Sequence, residues 1–146
     1  MKKWMILCLA LFLCGVSTAR ADRDRAIDPG QMPARAQSLL RTYFSEMKVA
    51  LAKVDSEWFE TRYEVVLTDG TKLEFDRRGD WVEIACRSVA VPDDLIPEAI
   101  RQKVGELYRD VPVMKIERAE RRGYEVQLSN RITLKFDAEL KLIDID

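Results

Sequence analysis

Residues 63–84 read YEVVLTDGTKLEFDRRGDWVEI, and residues 124–145 read YEVQLSNRITLKFDAELKLIDI. Across an offset of 61 positions, Tyr63/Tyr124, Glu64/Glu125, Val65/Val126, Leu67/Leu128, Leu73/Leu134, Phe75/Phe136, Asp76/Asp137 and Ile84/Ile145 are identical pairs. A supersecondary unit written twice dominates the reading of the chain around it. Tyr63, Val65 and Leu67 alternate with Glu64 and Val66, the two-residue period of a half-buried strand. Thr68-Asp69-Gly70 then supplies a tight turn with glycine where a positive φ is needed. A three-residue loop there sets Tyr63 opposite Phe75 and Val65 opposite Leu73, so every inward residue meets another. Taking Arg78-Gly79 as a two-residue turn places Phe75 opposite Val82 and Leu73 opposite Ile84. In this register Tyr63, Phe75, Val82, Tyr124, Phe136 and Ile143 face the core, while Glu64, Glu74, Trp81 and Lys135 face away.

Working outward, each copy is preceded by a helical stripe and then a strand. Ala36, Leu39, Leu40, Tyr43 and Phe44 share one helix face after Pro33, and Ile96, Ile100, Val104, Leu107 and Tyr108 share one around Pro97. Such stripes meet their own sheet. Val49–Val54 and Val113–Arg118 follow as strands at an offset of 64, so the next loop absorbs three residues. The first of those loops carries Trp58 and Phe59, which the second lacks. The expected fold is α+β: two tandem repeats, each a helix followed by a four-stranded antiparallel meander, in two layers with the helices on one sheet face. The expected organisation is a signal peptide at 1–21, a flexible leader at 22–31, a first repeat at 32–90, and a linker with the second repeat at 91–146, all in one compact domain. Pro92 is expected to stop the first sheet.

Lys2 and Lys3 precede an apolar run from Met5 to Val16, too short to span a bilayer, and small residues offer cleavage after Ala19 or Ala21. Cys14-Gly15 follows bulky Leu13, which disfavours a lipoprotein signal. An exported protein, periplasmic or secreted, with no stable membrane span after cleavage is expected. Cleavage leaves Cys86 as the single cysteine, so no internal disulfide framework exists, and about 125 residues suffice for a core without one. Removing Lys2, Lys3 and Arg20 from the 24 basic residues leaves 21 against 25 acidic ones. Nothing in that balance holds nucleic acid or an anionic membrane. The absence of histidine removes the commonest general base and the commonest metal ligand together.

Arg78-Gly79-Asp80 spells an adhesion tripeptide, but a hairpin turn requires glycine and tolerates charge, so it reads as a turn. Asp76 and Asp137 read as turn residues for the same reason. Cys86 continues the inward series and reads as a small buried hydrophobe, and as a monomer-compatible thiol rather than a nucleophile. The open sheet face carries more information. Glu64, Glu74 and Glu83 fall opposite one another across three strands, an arrangement that costs stability. The second copy has Glu125, Lys135 and Asp144, where lysine relieves the repulsion. Trp81, Leu51 and Val66 flank the acidic row, and an aromatic among charges suits a binding hot spot. Glutamates on a flat sheet rarely wrap an ion, so neither a metal site nor a cofactor is assigned.

The exported leader, the phrases YEVVLTDGTKLEFDRRGDW and GYEVQLSNRITLKFD, and the linker VPDDLIP together resemble the PepSY-like proteins of Bacteroides-type bacteria. That family is similar in fold to the beta-lactamase inhibitory protein. The resemblance covers essentially the whole mature chain and implies a periplasmic address, no cofactor and no catalytic residues. It also implies inhibition or regulation of an envelope enzyme. The resulting expectation is a non-catalytic, monomeric binding module. Its protein or peptide partner meets Glu64, Glu74, Glu83, Trp81, Leu51, Val66, Trp58 and Phe59. A carboxylate-based hydrolase using the three glutamates, which would need a cleft, and a structural or assembly factor of the envelope are the alternatives.

Overall fold

The structure, a computed structural model, describes residues 24–57, 59–119 and 123–146. In chain order these form β1 (Arg25–Ala26), α1 (Ala34–Tyr43), β2 (Val49–Glu57), β3 (Glu60–Leu67), β4 (Lys72–Asp76), β5 (Trp81–Ala85), α2 (Glu98–Leu107), β6 (Val113–Ala119), β7 (Gly123–Leu128), β8 (Thr133–Phe136) and β9 (Leu142–Ile145). Single 3-10 turns precede each helix, at Pro29–Gln31 and Asp93–Leu95. The expected signal peptide with Cys8 and Cys14, and the side chain of Trp58, lie outside the described residues. Among the described residues no helix is long and apolar enough to cross a membrane.

All strands join one continuous nine-stranded antiparallel sheet in strict chain order. This corrects the expectation of two tandem helix-plus-meander repeats. The sheet does not stop before Pro92, because β5 pairs with β6, setting Glu83 opposite Glu117, Ile84 opposite Ile116 and Ala85 opposite Lys115. The physical reason is that a strand edge left open would strand a row of backbone donors and acceptors, and mutual pairing satisfies both edges at once. Among the described residues only two α-helices, of ten residues each, accompany the sheet. Pro33 and Pro97 stand at their N-caps, where a missing N–H is no loss. Buried Ala36, Leu40, Phe44, Ile100 and Val104 lock them to one sheet face over Val65, Leu73, Phe75, Ile84, Ile116, Val126, Leu134 and Phe136. Leu107, expected on the buried stripe, is 47% exposed.

The stretch read as a flexible leader is structured from Asp24. Arg25 and Ala26 pair with Val54 and Lys53 of β2. Asp28 and Gln31 form a reciprocal capping box around the first 3-10 turn.

Hairpin geometry decides which side chains face which way. The Thr68-Asp69-Gly70 loop has the expected register, with Tyr63 opposite Phe75, Glu64 opposite Glu74 and Val65 opposite Leu73. Gly70 supplies φ 86°. The next hairpin differs from expectation. Its loop is Arg77-Arg78-Gly79, closed by Asp76 N–H to the Asp80 carbonyl, and Gly79 takes φ 84°. Phe75 therefore faces Trp81, and a β-bulge restores Glu74 opposite Glu83. Trp81 packs on the core in the place expected for Val82. The same bulge recurs in β9, where Leu142 faces Phe136 and Ile143 is 63% exposed rather than inward.

Candidate functional site

The open face of the sheet carries one row of charge that crosses eight strands. Lys53, Glu64, Glu74, Glu83, Glu117, Glu125, Lys135 and Asp144 stand opposite one another in succession from β2 to β9. Five of these, consecutive on β3 to β7, are glutamates. At the usual strand spacing they extend over roughly 19 Å. Two side chains from the neighbouring row interleave with them. The Lys72 ammonium lies 3.2 Å from Glu64 and 2.8 Å from Glu74. The Lys115 ammonium lies 3.1 Å from Glu83 and 3.4 Å from Glu117. Lys53 adds weaker contacts to Glu64 and Asp24 at 3.7 and 3.6 Å. Lys135, inside the row, serves Asp144 at 3.1 Å and also Asp146.

These contacts raise the lysine affinities for protons. Lys72 is pushed well above the ordinary lysine range, chiefly by its hydrogen bond to Glu74 and then by Glu64, against partial burial. Partial burial works against Lys115 also, but the bond to Glu83 and the charge of Glu117 win and raise it. Lys72, Lys115 and Lys135, all raised, are cations at any physiological pH. No three acidic, histidine or cysteine side chains among the described residues converge to hold a metal ion. Glu64 and Glu74 line a surface hollow of about 270 Å³ with Asp24, Lys53, Asp55 and Arg62, and Glu83 lies outside it.

The sequence reading placed Glu64, Glu74 and Glu83 together, and so they are. It missed Glu117 and Lys115, and the continuity from Glu83 to Glu125, because these depend on β5 meeting β6. The spacing of Lys115 and Glu117 on β6, which repeats that of Lys72 and Glu74 on β4, was the only available signal. Leu51 is 39% exposed opposite half-buried Val66, so both remain on the open face. Trp81 does not: it lies on the helix-bearing face, its ring 6.4 Å from Tyr124 and beneath the Arg118 guanidinium at 5.2 Å. Arg118 also donates to the Trp81 carbonyl at 2.7 Å. The bulge that rotates Trp81 inward is the physical cause of the correction. Phe59, at the β2–β3 hairpin tip, is 96% exposed and shares a surface hollow with Arg77 and Arg78, away from the row.

The remaining sequence motifs are structural. Asp76 accepts from the Arg78 and Asp80 N–H groups, and Asp137 accepts from Glu139 and Lys141 in the matching turn. Asp80 is held by Arg35 at 2.8 Å, and Gly79 is buried against Pro33 and Ala36, so Arg78-Gly79-Asp80 is a docked hairpin turn. Cys86 is buried, and burial followed by the nearby Asp69 carboxylate pushes its thiol up to about 11.

With this geometry in view, a family model described as "Putative beta-lactamase-inhibitor-like, PepSY-like" matches residues 61–144. A solved structure from Bacteroides vulgatus, described as a "putative periplasmic protein", is 44% identical with a TM-score of 0.83, covering 86% of this chain and 98% of that one. A "putative calcium-regulated periplasmic protein" from Bacteroides thetaiotaomicron is 48% identical with a TM-score of 0.81 and the same coverage. A second Bacteroides vulgatus structure, a "putative periplasmic protein of unknown function", is 35% identical with a TM-score of 0.79, covering 84% and 98%. No curated protein sequence matches the chain.

Proposed function

The chain belongs to the PepSY-like family, and from that premise we propose that it is a non-catalytic binding module of the periplasm, holding a protein or peptide partner against the open face of its sheet. The observation that carries this reading is the run of five outward glutamates on consecutive strands. Like charges directly opposite one another weaken a sheet, and Lys72 and Lys115 offset that cost from the side while leaving the row itself acidic. A partner with a basic surface gains from the row what the isolated sheet loses. Leu51 and Val66 give the same face an apolar margin at which contacts are less sensitive to salt. Relatives described as periplasmic, and a leader with a cleavable pattern, support the compartment. Inhibition of an envelope enzyme is one form this binding takes if the partner's basic surface borders its active site.

The test is capture from an envelope extract with the wild-type protein beside a Glu64→Gln, Glu74→Gln, Glu83→Gln triple variant. A stoichiometric partner retained by the wild type, lost by the variant and released by moderate salt is the expected result. Equal capture by both proteins moves the site away from the row, and turnover in a hydrolase screen by the purified protein ends the non-catalytic reading. Calcium and chelator arms of the same capture test whether the calcium regulation named for one relative extends to this chain.

A further inference from the structure

The β5–β6 junction is a template for a contact between two copies of this chain. The 61-residue offset carries Glu83 and Ile84 of β5 onto Asp144 and Ile145 of β9. The 64-residue offset carries Ile116 and Glu117 of β6 onto Ala52 and Lys53 of β2. Pairing confirms both correspondences, since Asp144 lies opposite Lys135 as Glu83 lies opposite Glu74, and Lys53 lies opposite Glu64 as Glu117 lies opposite Glu125. If β9 of one copy met β2 of another in the internal register, Asp144 would face Lys53 and Ile145 would face Ala52. The like-charged pair Glu83–Glu117 of the internal junction thus becomes an opposite-charged pair between copies. Ile145, now 45% exposed, would gain an apolar neighbour.

The backbone is aligned for this contact. Asp146 exchanges both its N–H and its carbonyl with Thr133 of β8, so the adjacent Ile145 turns its own groups to the free side. Its N–H is presently held by the Asp144 carboxylate at 3.0 Å. On β2 the matching acceptor is the Ala52 carbonyl, which receives the Ile27 N–H at 2.9 Å. Ala26 stands opposite Lys53, and Asp24 reaches the Lys53 ammonium. Ile27 packs against the core. Residues 24–27 thus fill, on β2, the hydrogen bond and the charge that a docking β9 would use.

We propose that residues 24–27 are a stopper that keeps the protein from associating head to tail with itself. Edge strands are routinely covered against such pairing. Here the edge that would answer is the protein's own, and the contact, being heterologous, would propagate as an open chain of copies. Displacing the segment exposes β2 to β9 of the next copy.

The test measures mass against concentration by sedimentation for the full chain and for Ile27→Asp. The wild type is expected to keep one mass at all concentrations, and the variant to pass beyond dimer as concentration rises. Adding Asp144→Lys to Ile27→Asp should return the monomer, and adding Lys53→Asp to that should restore assembly by exchanging the charges. Arg25→Pro, at an exposed position opposite Val54 whose N–H faces β2 as that of Ile27 does, serves as a second way to release the segment should Ile27→Asp fail to fold. A released variant that keeps a folded circular-dichroism spectrum and remains monomeric overturns the proposal. So does assembly indifferent to residues 144 and 53, or a wild type whose mass already rises with concentration.

Discussion

The two halves of the open face solve the same electrostatic problem differently. Around β3–β5 the glutamates Glu64, Glu74 and Glu83 face one another, and the cation that steadies the first two, Lys72, stands one row aside. Around β7–β9 the cation is in the row: Lys135 sits between Glu125 and Asp144, and Thr133 occupies the place of Lys72. Moving one lysine by two residues turns an alternating pattern into an acidic run. The first arrangement presents carboxylates outward with their counter-charge at the side, and the second sets its one lysine in the row, paired with Asp144 and Asp146. The proposed partner would account for that difference.

The largest difference between the halves lies in backbone geometry rather than charge. The offset pairs Arg62 with Gly123. Gly123 has φ 102°, and a Cβ added there would lie 1.9 Å from the Phe136 carbonyl oxygen. Gly123→Ala should therefore cost on the order of 3 kcal/mol or more, lowering the melting temperature by roughly 10 °C. Arg62→Ala, at the corresponding place, should change stability by less than about 0.5 kcal/mol, since its exposed pairing with Glu60 contributes little. Equal melting shifts for the two variants would show that the halves share a backbone after all.

Next in size is a pH effect confined to the first half. The Cys86 thiol has its folded pKa raised from 9.0 to about 11 by burial and by Asp69. A raised folded pKa means that the native state binds the proton more tightly. The contribution is complete below pH 9 and lost as pH rises toward 11. Stability should fall over that window by on the order of 2 kcal/mol more in the wild type than in Cys86→Ala, read from urea midpoints. Parallel curves would mean that the thiol is hydrated. In keeping with burial, a thiol reagent should label Cys86 slowly until denaturant is added.

The turn at Asp69 gives the third contrast. Buried Thr71 donates its hydroxyl to Asp69 at 2.9 Å, and Ser88 and the Thr71 N–H also bond that carboxylate. Burial opposes the charge of Asp69, yet these bonds hold its pKa below the usual carboxylate value. Its contribution is present above the ordinary carboxylate pKa and disappears as pH falls through the lowered one. In the second half Asn130 and Ile132 stand in these places, with one bond from the Ile132 N–H to Asn130. Asp69→Asn should cost about 1 kcal/mol at neutral pH and nothing extra at strongly acid pH, where the carboxyl is protonated anyway.

Those contrasts also mark what the sequence could show. Tyr63 opposite Phe75 and Glu64 opposite Glu74 were legible because Thr68-Asp69-Gly70 permits one loop length and the apolar alternation permits one face. Trp81 and Leu142 were not legible. Asp76-Arg77-Arg78-Gly79-Asp80 closes equally well on two or three residues, and the bulge that restores register beyond it leaves no trace in hydrophobic periodicity. The continuous sheet was missed for a different reason. The β5–β6 pairing joins residues separated by the whole of α2, and no local pattern encodes which edge meets which. Of the candidate site, the glutamates of β3–β5 followed from register alone, whereas Lys115 and Glu117 required that long-range pairing.

The smallest predicted effect bears most directly on the acidic row. Lys72→Thr with Glu74→Lys writes the second half's charge order into the first. Glu64 and Glu83 would then flank a lysine, as Glu125 and Asp144 flank Lys135. Glu74→Lys alone is less informative, because it removes the partner 2.8 Å from Lys72 and sets two ammonium groups two residues apart on one strand. In the double variant one set of exposed ion pairs replaces another. The stability change should stay within about 0.5 kcal/mol and shrink further with salt, as exposed pairs do. Binding should not stay level. A partner that reads five consecutive carboxylates loses one and meets a lysine at the centre of the first three, so capture should weaken several-fold, most at low salt. Gain of about 1 kcal/mol or more would mean that the native row is under greater strain than its lysines relieve. Unchanged capture at unchanged stability would show that the two halves differ without consequence for recognition, and would send the search for the site to Phe59 and the hollow beside Arg77 and Arg78.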